Sequence, residues 1–123
     1  MTLAALNVTP DTRYERLTEL RLSYIEDIML KCDFLSNAVI EKYSSDENRM
    51  LFQEICRVIH SMKGTAAMYD ISMISAICHR FEDYLLGRDI VKDMNNDKIV
   101  DRILQYLDMI SLSAVVEKHS IPA

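Results

Sequence analysis

Glycine and proline are scarce in this chain, which has two of each among its 123 residues. Turn-rich β folds depend on these residues, so their scarcity disfavours an all-β protein and favours long helices with short connections. The chain also lacks a glycine-rich phosphate loop, which argues against an ATP-binding module of its own. No apolar run approaches the length of a membrane span. The opening segment has neither the basic end nor the long apolar stretch of a secretion signal.

The three cysteines, Cys32, Cys56 and Cys78, form no CxxC pair. Each lies in an apolar helical pattern, so we expect buried, reduced thiols in a cytoplasmic protein. The formal net charge of -5 argues against a nucleic-acid or anionic-membrane surface. Half of the residues are apolar, which is enough for the core of one domain.

The first predicted helix covers residues 9–43, with Thr9 as its cap and Pro10 at its first position. Apolar residues recur there at three- and four-residue steps, which predicts one buried stripe. The stripe consists of Leu17, Leu20, Tyr24, Ile28, Cys32, Leu35 and Val39. Because the segment is long, we expect a bend or break near Cys32 and Asp33.

The second predicted helix begins after Ser44 and Glu47, which have the spacing of a capping box. It ends around Tyr69 and Asp70, because aspartate tolerates a left-handed backbone. Its predicted buried face consists of Phe52, Ile55, Ile59, Met62 and Ala66.

Two further amphipathic segments follow, from Ser72 to about Gly87 and over residues 96–116. The predicted core positions of the first are Ile74, Ile77, Cys78, Phe81 and Leu85, and those of the second are Ile99, Ile103, Leu107 and Ile110. Four such helices predict an all-α antiparallel four-helix bundle, with room for an extra N-terminal helical segment. We place the bundle at residues 9–118, after a flexible lead-in of residues 1–8 and before a tail of residues 119–123.

His60 breaks the apolar pattern of the second helix. It lies about 100° from Ile59 on the helical wheel, and therefore at the flank of the core. Lys63, Gly64 and Ala67 follow at three, four and seven residues, on the same side of the helix. A glycine inside a helix costs about 1 kcal/mol relative to alanine. Gly64 therefore provides either clearance for an approaching molecule or close packing against a neighbouring helix.

The third helix carries Ser75, His79, Glu82 and Leu86 on one flank, which borders His60 if the two helices pack antiparallel. Glu82 can then accept the Nδ1 proton of His60 and leave Nε2 unprotonated and nucleophilic. The alternative for Glu82 is a solvated carboxylate on a helix face, the commoner situation for a glutamate.

The segment HSMKGTAAMYDI, from His60 to Ile71, resembles the H-x-x-K-G signature of histidine-phosphotransfer domains. It is most similar to the amino-terminal phosphotransfer domain of chemotaxis-type histidine kinases, in which a glutamate and a second histidine follow at the spacings of Glu82 and His79. That family usually has glycine near Asp70, so a different turn is expected there.

The resemblance implies that His60 is the phosphoacceptor of a phosphorelay and exchanges phosphate with a response-regulator receiver aspartate. It implies that Glu82, Lys63 and His79 orient the ring or stabilise charge, and that Gly64 gives steric clearance. A histidine kinase or hybrid kinase would be the phosphodonor. The magnesium would belong to the receiver, so this chain would need no cofactor and would be a phosphocarrier, not an enzyme, unless it is part of a kinase.

Two other hypotheses remain open: a metal-binding bundle that uses His60, His79 and Glu82 or a cysteine, and a non-catalytic helical interaction or dimerisation module. If a receiver docks at His60, we expect a small apolar patch bordered by charge. The candidate docking residues are Gln53, Arg57, Ala67, Met68 and Leu86.

Overall fold

The computed structural model describes residues 10–87 and 97–121, and the predicted lead-in and the cap at Thr9 lie outside these ranges. The described residues contain four helices and no strand. The helices are α1 (Pro10–Lys42), α2 (Asn48–Met68), α3 (Ser72–Leu86) and α4 (Asp97–Ser120). The prediction of an all-α fold is confirmed. Within the described ranges, no helix combines the length and apolarity needed to cross a bilayer.

The four helices form a ring in which α1 and α3 each contact both α2 and α4. Tyr24, in the first half of α1, stacks on Tyr69 just beyond the end of α2. Lys118, near the end of α4, lies 3.7 Å from Glu26 of α1. Late parts of α2 and α4 thus both lie against residues 24–26 of α1, as expected if α1 runs antiparallel to each of them.

The buried faces of α2 and α3 are those predicted, and every residue assigned to them is buried. Their apolar side chains recur at three- and four-residue steps, so each helix buries one stripe and turns the remainder toward solvent. Because Ile59 is fully buried, the next residue, His60, stands at the edge of the core.

The first helix differs from the prediction in two respects. It is continuous through Cys32 and Asp33, so the expected break is absent, and no separate N-terminal segment precedes it within the described residues. Leu17 and Leu20 were predicted to be buried and are exposed. With 33 residues, α1 is about 50 Å long, whereas the 21 residues of α2 span about 31 Å. The early part of α1 therefore extends past the end of α2, and the buried stripe begins only at Ile25.

The predicted capping box at the start of α2 is wrong. Glu47 is the N-cap residue, and its side chain makes no capping hydrogen bond. Ser45 takes the role assigned to Ser44: its Oγ accepts the Glu47 N–H at 3.1 Å and donates to the Lys42 carbonyl at 2.8 Å. One hydroxyl thus closes α1 and supports the entry to α2.

The end of α2 was predicted correctly, whereas both ends of the buried stripe and the length of α4 differ in detail from the prediction. Asp70 has φ 60°, the left-handed conformation expected there, and Ile71 N–H donates to the Ala66 carbonyl at 2.8 Å. The fourth helix continues about one turn past residue 116, to Ser120. Ile99 is only half-buried, and Val100 occupies the buried position at this end of α4.

The three cysteines are free, as expected, but only Cys32 and Cys78 are fully buried. Burial raises the pKa of each of these two thiols to about 12, so both remain protonated at neutral pH. Cys56 is half-buried because it lies between the core stripe of α2 and the face that carries His60.

Candidate functional site

The imidazole of His60 stands at the surface and is held by an acid from the neighbouring helix. Its side chain is 73% exposed, and Nδ1 lies 2.6 Å from Oε2 of Glu82 on α3. The antiparallel packing of α2 and α3 brings these residues together across 22 positions of sequence. The juxtaposition expected from the two helical wheels is therefore present.

Glu82 is itself fixed by a second partner. Its other carboxylate oxygen, Oε1, accepts a hydrogen bond from Lys63 Nζ at 2.5 Å, and its side chain is only 15% exposed. The hydrogen bond from Lys63, supported by the one to His60, holds the pKa of the Glu82 carboxyl below its usual range, although burial acts in the opposite direction. Glu82 is therefore ionised at neutral pH.

The ionised state of Glu82 decides which ring nitrogen of His60 carries the proton. A carboxylate has no proton to donate and can only accept, so Nδ1 must be the donor in the 2.6 Å contact. In the neutral ring, Nε2 then keeps its lone pair, on the edge of the imidazole away from Glu82. The arrangement presents an exposed nitrogen nucleophile with a fixed tautomer.

Gly64, one helical turn beyond His60, leaves open space at the surface of α2. A Cβ built at this position meets no atom within 4 Å, so close packing against another helix does not explain the glycine. The space is part of a surface depression between α2 and α3, lined among others by Lys63, Ala67 and His79. Clearance for another molecule is the explanation that remains of the two considered.

His79 lies at this depression, but its partner is not His60. Its side chain is 63% exposed, and Nε2 lies 3.5 Å from Oδ2 of Asp83, one turn further along α3. The i,i+4 spacing of His79 and Asp83 was visible in the sequence and could have indicated this pair. A role for His79 in orienting the ring of His60 stays a prediction.

The candidate docking residues all lie on the surface. Gln53 and Arg57 are exposed on the same side of α2 as His60, and Arg57 is held by Glu54 through Nε at 3.1 Å and Nη2 at 2.5 Å. Ala67, Met68 and Leu86 are exposed as well. Contact of these residues with a partner stays a prediction.

Sequence reasoning missed two contacts that hold the α2 backbone near His60. The Tyr24 hydroxyl donates to the Met62 carbonyl at 2.8 Å, and the Ser75 hydroxyl donates to the Lys63 carbonyl at 3.5 Å. Burial raises the pKa of the Tyr24 hydroxyl well above its ordinary value, so it remains a donor. A tyrosine within the apolar stripe of α1 was the available signal, because a buried hydroxyl needs a partner.

The described residues contain no group of three or more histidine, cysteine, aspartate or glutamate side chains arranged to hold a metal ion. Glu82, the carboxylate in the proposed ligand set, is engaged by Lys63 and by Nδ1 of His60. The metal-binding hypothesis therefore finds no ligand set in this part of the chain.

The family model described as "Hpt domain" matches residues 15–113. The chain belongs to the Hpt domain family. Hpt domains are phosphocarriers without an ATP site of their own, and membership supports a histidine-phosphotransfer role in two-component signalling. The resemblance seen around His60 is confirmed.

A search of curated proteins finds a relative that is also a signalling protein. The chemotaxis protein CheA of Borreliella burgdorferi is 31% identical over 88 residues, which cover 71% of this chain and 10% of that protein. This Hpt domain thus spans about a tenth of the length of the curated relative that it matches. No solved structure matches the chain.

Proposed function

We propose that this Hpt domain carries a phosphoryl group on Nε2 of His60, to or from the aspartate of a response-regulator receiver domain. A histidine kinase or hybrid kinase would supply the phosphate. The observation that carries the proposal is the exposed imidazole whose Nδ1 is held at 2.6 Å by the ionised carboxylate of Glu82. A histidine nucleophile that must meet another macromolecule needs both an exposed ring and a fixed tautomer.

Phosphorylation follows from the tautomer. The Nε2 lone pair attacks phosphorus, a P–N bond forms, and the bond from phosphorus to the donor's leaving group breaks. The proton on Nδ1 stays there, so the ring becomes positively charged, and Glu82 stabilises that charge through the hydrogen bond already in place.

In transfer to a receiver, the bond between phosphorus and Nε2 of His60 is broken again. A carboxylate oxygen of the receiver aspartate attacks phosphorus, the P–N bond breaks, and its electron pair returns to Nε2. Magnesium bound by the receiver would neutralise the phosphoryl oxygens, so this chain needs no cofactor of its own for the step. Lys63, 2.5 Å from Glu82, places a positive charge near the group being transferred, and His79 offers a second donor across the depression beside Gly64.

Phosphoramidate provides a direct test, because its P–N bond can pass phosphate to a histidine and release ammonia without any kinase. We expect the chain to acquire one acid-labile phosphoryl group, and to lose it to an isolated receiver domain in the presence of magnesium. His60→Gln should lose this labelling and keep at most the slow reaction of an unassisted exposed imidazole such as His79. Equal labelling of this variant would contradict the assignment. If the wild-type chain is not labelled at all, the proposed function fails and an interaction module becomes the better explanation.

A further inference from the structure

The outer face of α4 carries an apolar stripe that does not contribute to the core of the bundle. Met109, Leu112 and Val116 are 43%, 67% and 65% exposed, although all three are large apolar residues. At about 100° per residue they lie within about 60° of one another on the helical wheel, and about 180° from the buried residues of the same helix. We call these three residues the α4 stripe.

The α4 stripe lies in a part of the helix that has no charge. Residues 109–116 include no charged side chain, whereas Arg102 and Asp108 precede them and Glu117 and Lys118 follow them. Single exposed apolar side chains are normal, and a solvated helix face is otherwise polar or charged. An aligned apolar stripe opposite the core is instead typical of a helix that packs against another molecule.

The α4 stripe lies across the bundle from the reactive histidine. In the ring of helices, α1 and α3 separate α4 from α2, which carries His60. Because the buried residues of α4 face the centre of this ring, the stripe opposite them faces away from it. A molecule bound at the stripe therefore leaves the imidazole of His60 exposed.

The charged side chains beside the stripe are arranged so that two copies of α4 complement each other. Asp108 and His119 are both exposed, lie about 20° apart on the helical wheel, and stand at opposite ends of the stripe. A two-fold axis through the middle of the stripe sets a second α4 antiparallel to the first and keeps this flank of both helices on the same side. With Met109 opposite Val116 of the other copy, the axial offset between Asp108 and the other copy's His119 is about 3 Å.

This arrangement favours the antiparallel pairing over a parallel one. An imidazole N–H of His119 can donate to the carboxylate of Asp108, and the two-fold axis produces the contact twice. In a parallel pair, the flank that carries Asp108 and His119 in one copy would face the opposite flank of the other copy. The complementary contact would then be lost.

The size of the stripe indicates how strong the pairing is. From Asp108 to His119 the face is about 17 Å long, and a helix with its side chains is about 10 Å wide. A standard interface covers about 800 Å² of each partner, so this face is too small for a permanent dimer. It fits a transient dimer with a dissociation constant on the order of 0.1 mM.

We propose that two copies of this domain pair through α4, antiparallel and around a two-fold axis, with Leu112 near the centre and Asp108 of each copy against His119 of the other. The inference goes beyond the proposed function and does not depend on it. The pairing leaves the two His60 rings on the far sides of the dimer, where each stays open to a partner.

Sedimentation equilibrium of the reduced chain tests the pairing, at concentrations from about tenfold below to tenfold above the expected dissociation constant. Leu112→Glu should raise that constant at least about tenfold, because it brings two charges together in an apolar contact. Met50→Glu is the matched control, since Met50 is 72% exposed on α2, across the bundle from α4, and should leave the constant unchanged. Circular dichroism of each variant verifies that the helices are intact.

An exchange of the two flanking side chains tests the orientation. Asp108→Lys and His119→Asp should each raise the dissociation constant about threefold, because each removes one partner from both contacts. The double variant carries the pair in reversed order and should return to within about twofold of the wild type. A wild-type chain that stays monomeric over the whole range overturns the proposal. An equal effect of Met50→Glu, or a double variant weaker than both single ones, overturns it as well.

Discussion

Two histidine–carboxylate pairs lie on neighbouring parts of this surface, and they differ in how the acid is held. The rings of His60 and His79 are similarly exposed, at 73% and 63%. The acid of His60 is Glu82, which comes from another helix, is 15% exposed and is fixed by Lys63. The acid of His79 is Asp83, which lies one turn along the same helix, is 65% exposed, and approaches only to 3.5 Å.

Exposure of an imidazole ring does not by itself make that ring a nucleophile. An exposed i,i+4 pair contributes little energy and holds neither partner in one geometry. A carboxylate shielded from solvent and bound by a lysine, in contrast, fixes one ring nitrogen as the proton donor and frees the other. On this account His60 reacts and His79 assists, and the difference can be tested residue by residue.

The largest expected effect separates the two rings. His60→Gln should abolish phosphorylation by a kinase and reduce labelling by phosphoramidate to the slow rate of an unassisted imidazole, because the attacking nitrogen is gone. His79→Gln should retain it, with a rate reduced by about tenfold at most, the scale of an auxiliary donor. Phosphate incorporation into each purified variant, measured over time, checks both expectations. Complete loss of phosphorylation in His79→Gln would contradict an auxiliary role for His79.

The next effect separates the two acids. Glu82→Gln keeps the shape of the side chain but removes the charge that stabilises the ring cation, so phosphorylation should slow by roughly tenfold to hundredfold. Asp83→Asn should change the rate by less than about twofold, as expected for a solvent-exposed pair. Initial rates at saturating phosphoramidate provide the measurement, and equal rates for the two variants would count against the assigned roles.

The contribution of ionised Glu82 to the stability of the fold should depend on pH. The pKa of Glu82 is lower in the folded protein than its ordinary value of 4.5, so ionised Glu82 stabilises the fold above that pH. This contribution is lost as the pH falls through the lowered folded-state pKa. Urea unfolding at neutral pH should therefore show Glu82→Gln to be less stable than the wild type, and the gap should close below pH 4.5. A gap that widens on acidification would contradict the sign of the shift.

The smallest effect concerns the open space at Gly64. A methyl group at Gly64 meets nothing in the free protein, so Gly64→Ala should raise the free energy of unfolding by about 0.5–1 kcal/mol through helix propensity. Transfer to a receiver should nevertheless slow, while labelling by phosphoramidate stays unchanged. Chemical denaturation and transfer kinetics on one preparation measure both. If Gly64→Ala is more stable and transfers phosphate at the wild-type rate, Gly64 does not provide clearance for the receiver.

The sequence predicted those parts of the fold that depend on local periodicity. The buried faces of α2 and α3 and the left-handed turn at Asp70 follow from spacing and from the conformational preference of one residue. The exposure of Leu17 and Leu20 could not be predicted from spacing, because it depends on how far α1 extends past the end of α2. The sequence also could not show which serine closes α1. Ser44 and Ser45 are adjacent, and only the path of the backbone decides which hydroxyl makes the hydrogen bonds.

Helical wheels of α2 and α3 were enough to predict the main residues of the candidate site. His60, Lys63 and Gly64 share a face of α2, and an antiparallel neighbour brings Glu82 beside them. The hydrogen bond of the Tyr24 hydroxyl was missed because its acceptor, the Met62 carbonyl, lies on a different helix.

The position of the proton on the imidazole of His60 can be measured by NMR, and the proposed chemistry depends on it. Long-range ¹H–¹⁵N correlation spectra of the unphosphorylated chain, recorded above the pH at which imidazole is charged, distinguish the two neutral tautomers. We predict that His60 is the Nδ1–H form with an unprotonated Nε2, and that this preference weakens in Glu82→Gln. A ring of His60 that is protonated on Nε2, or that averages both forms in the wild type, would contradict the account.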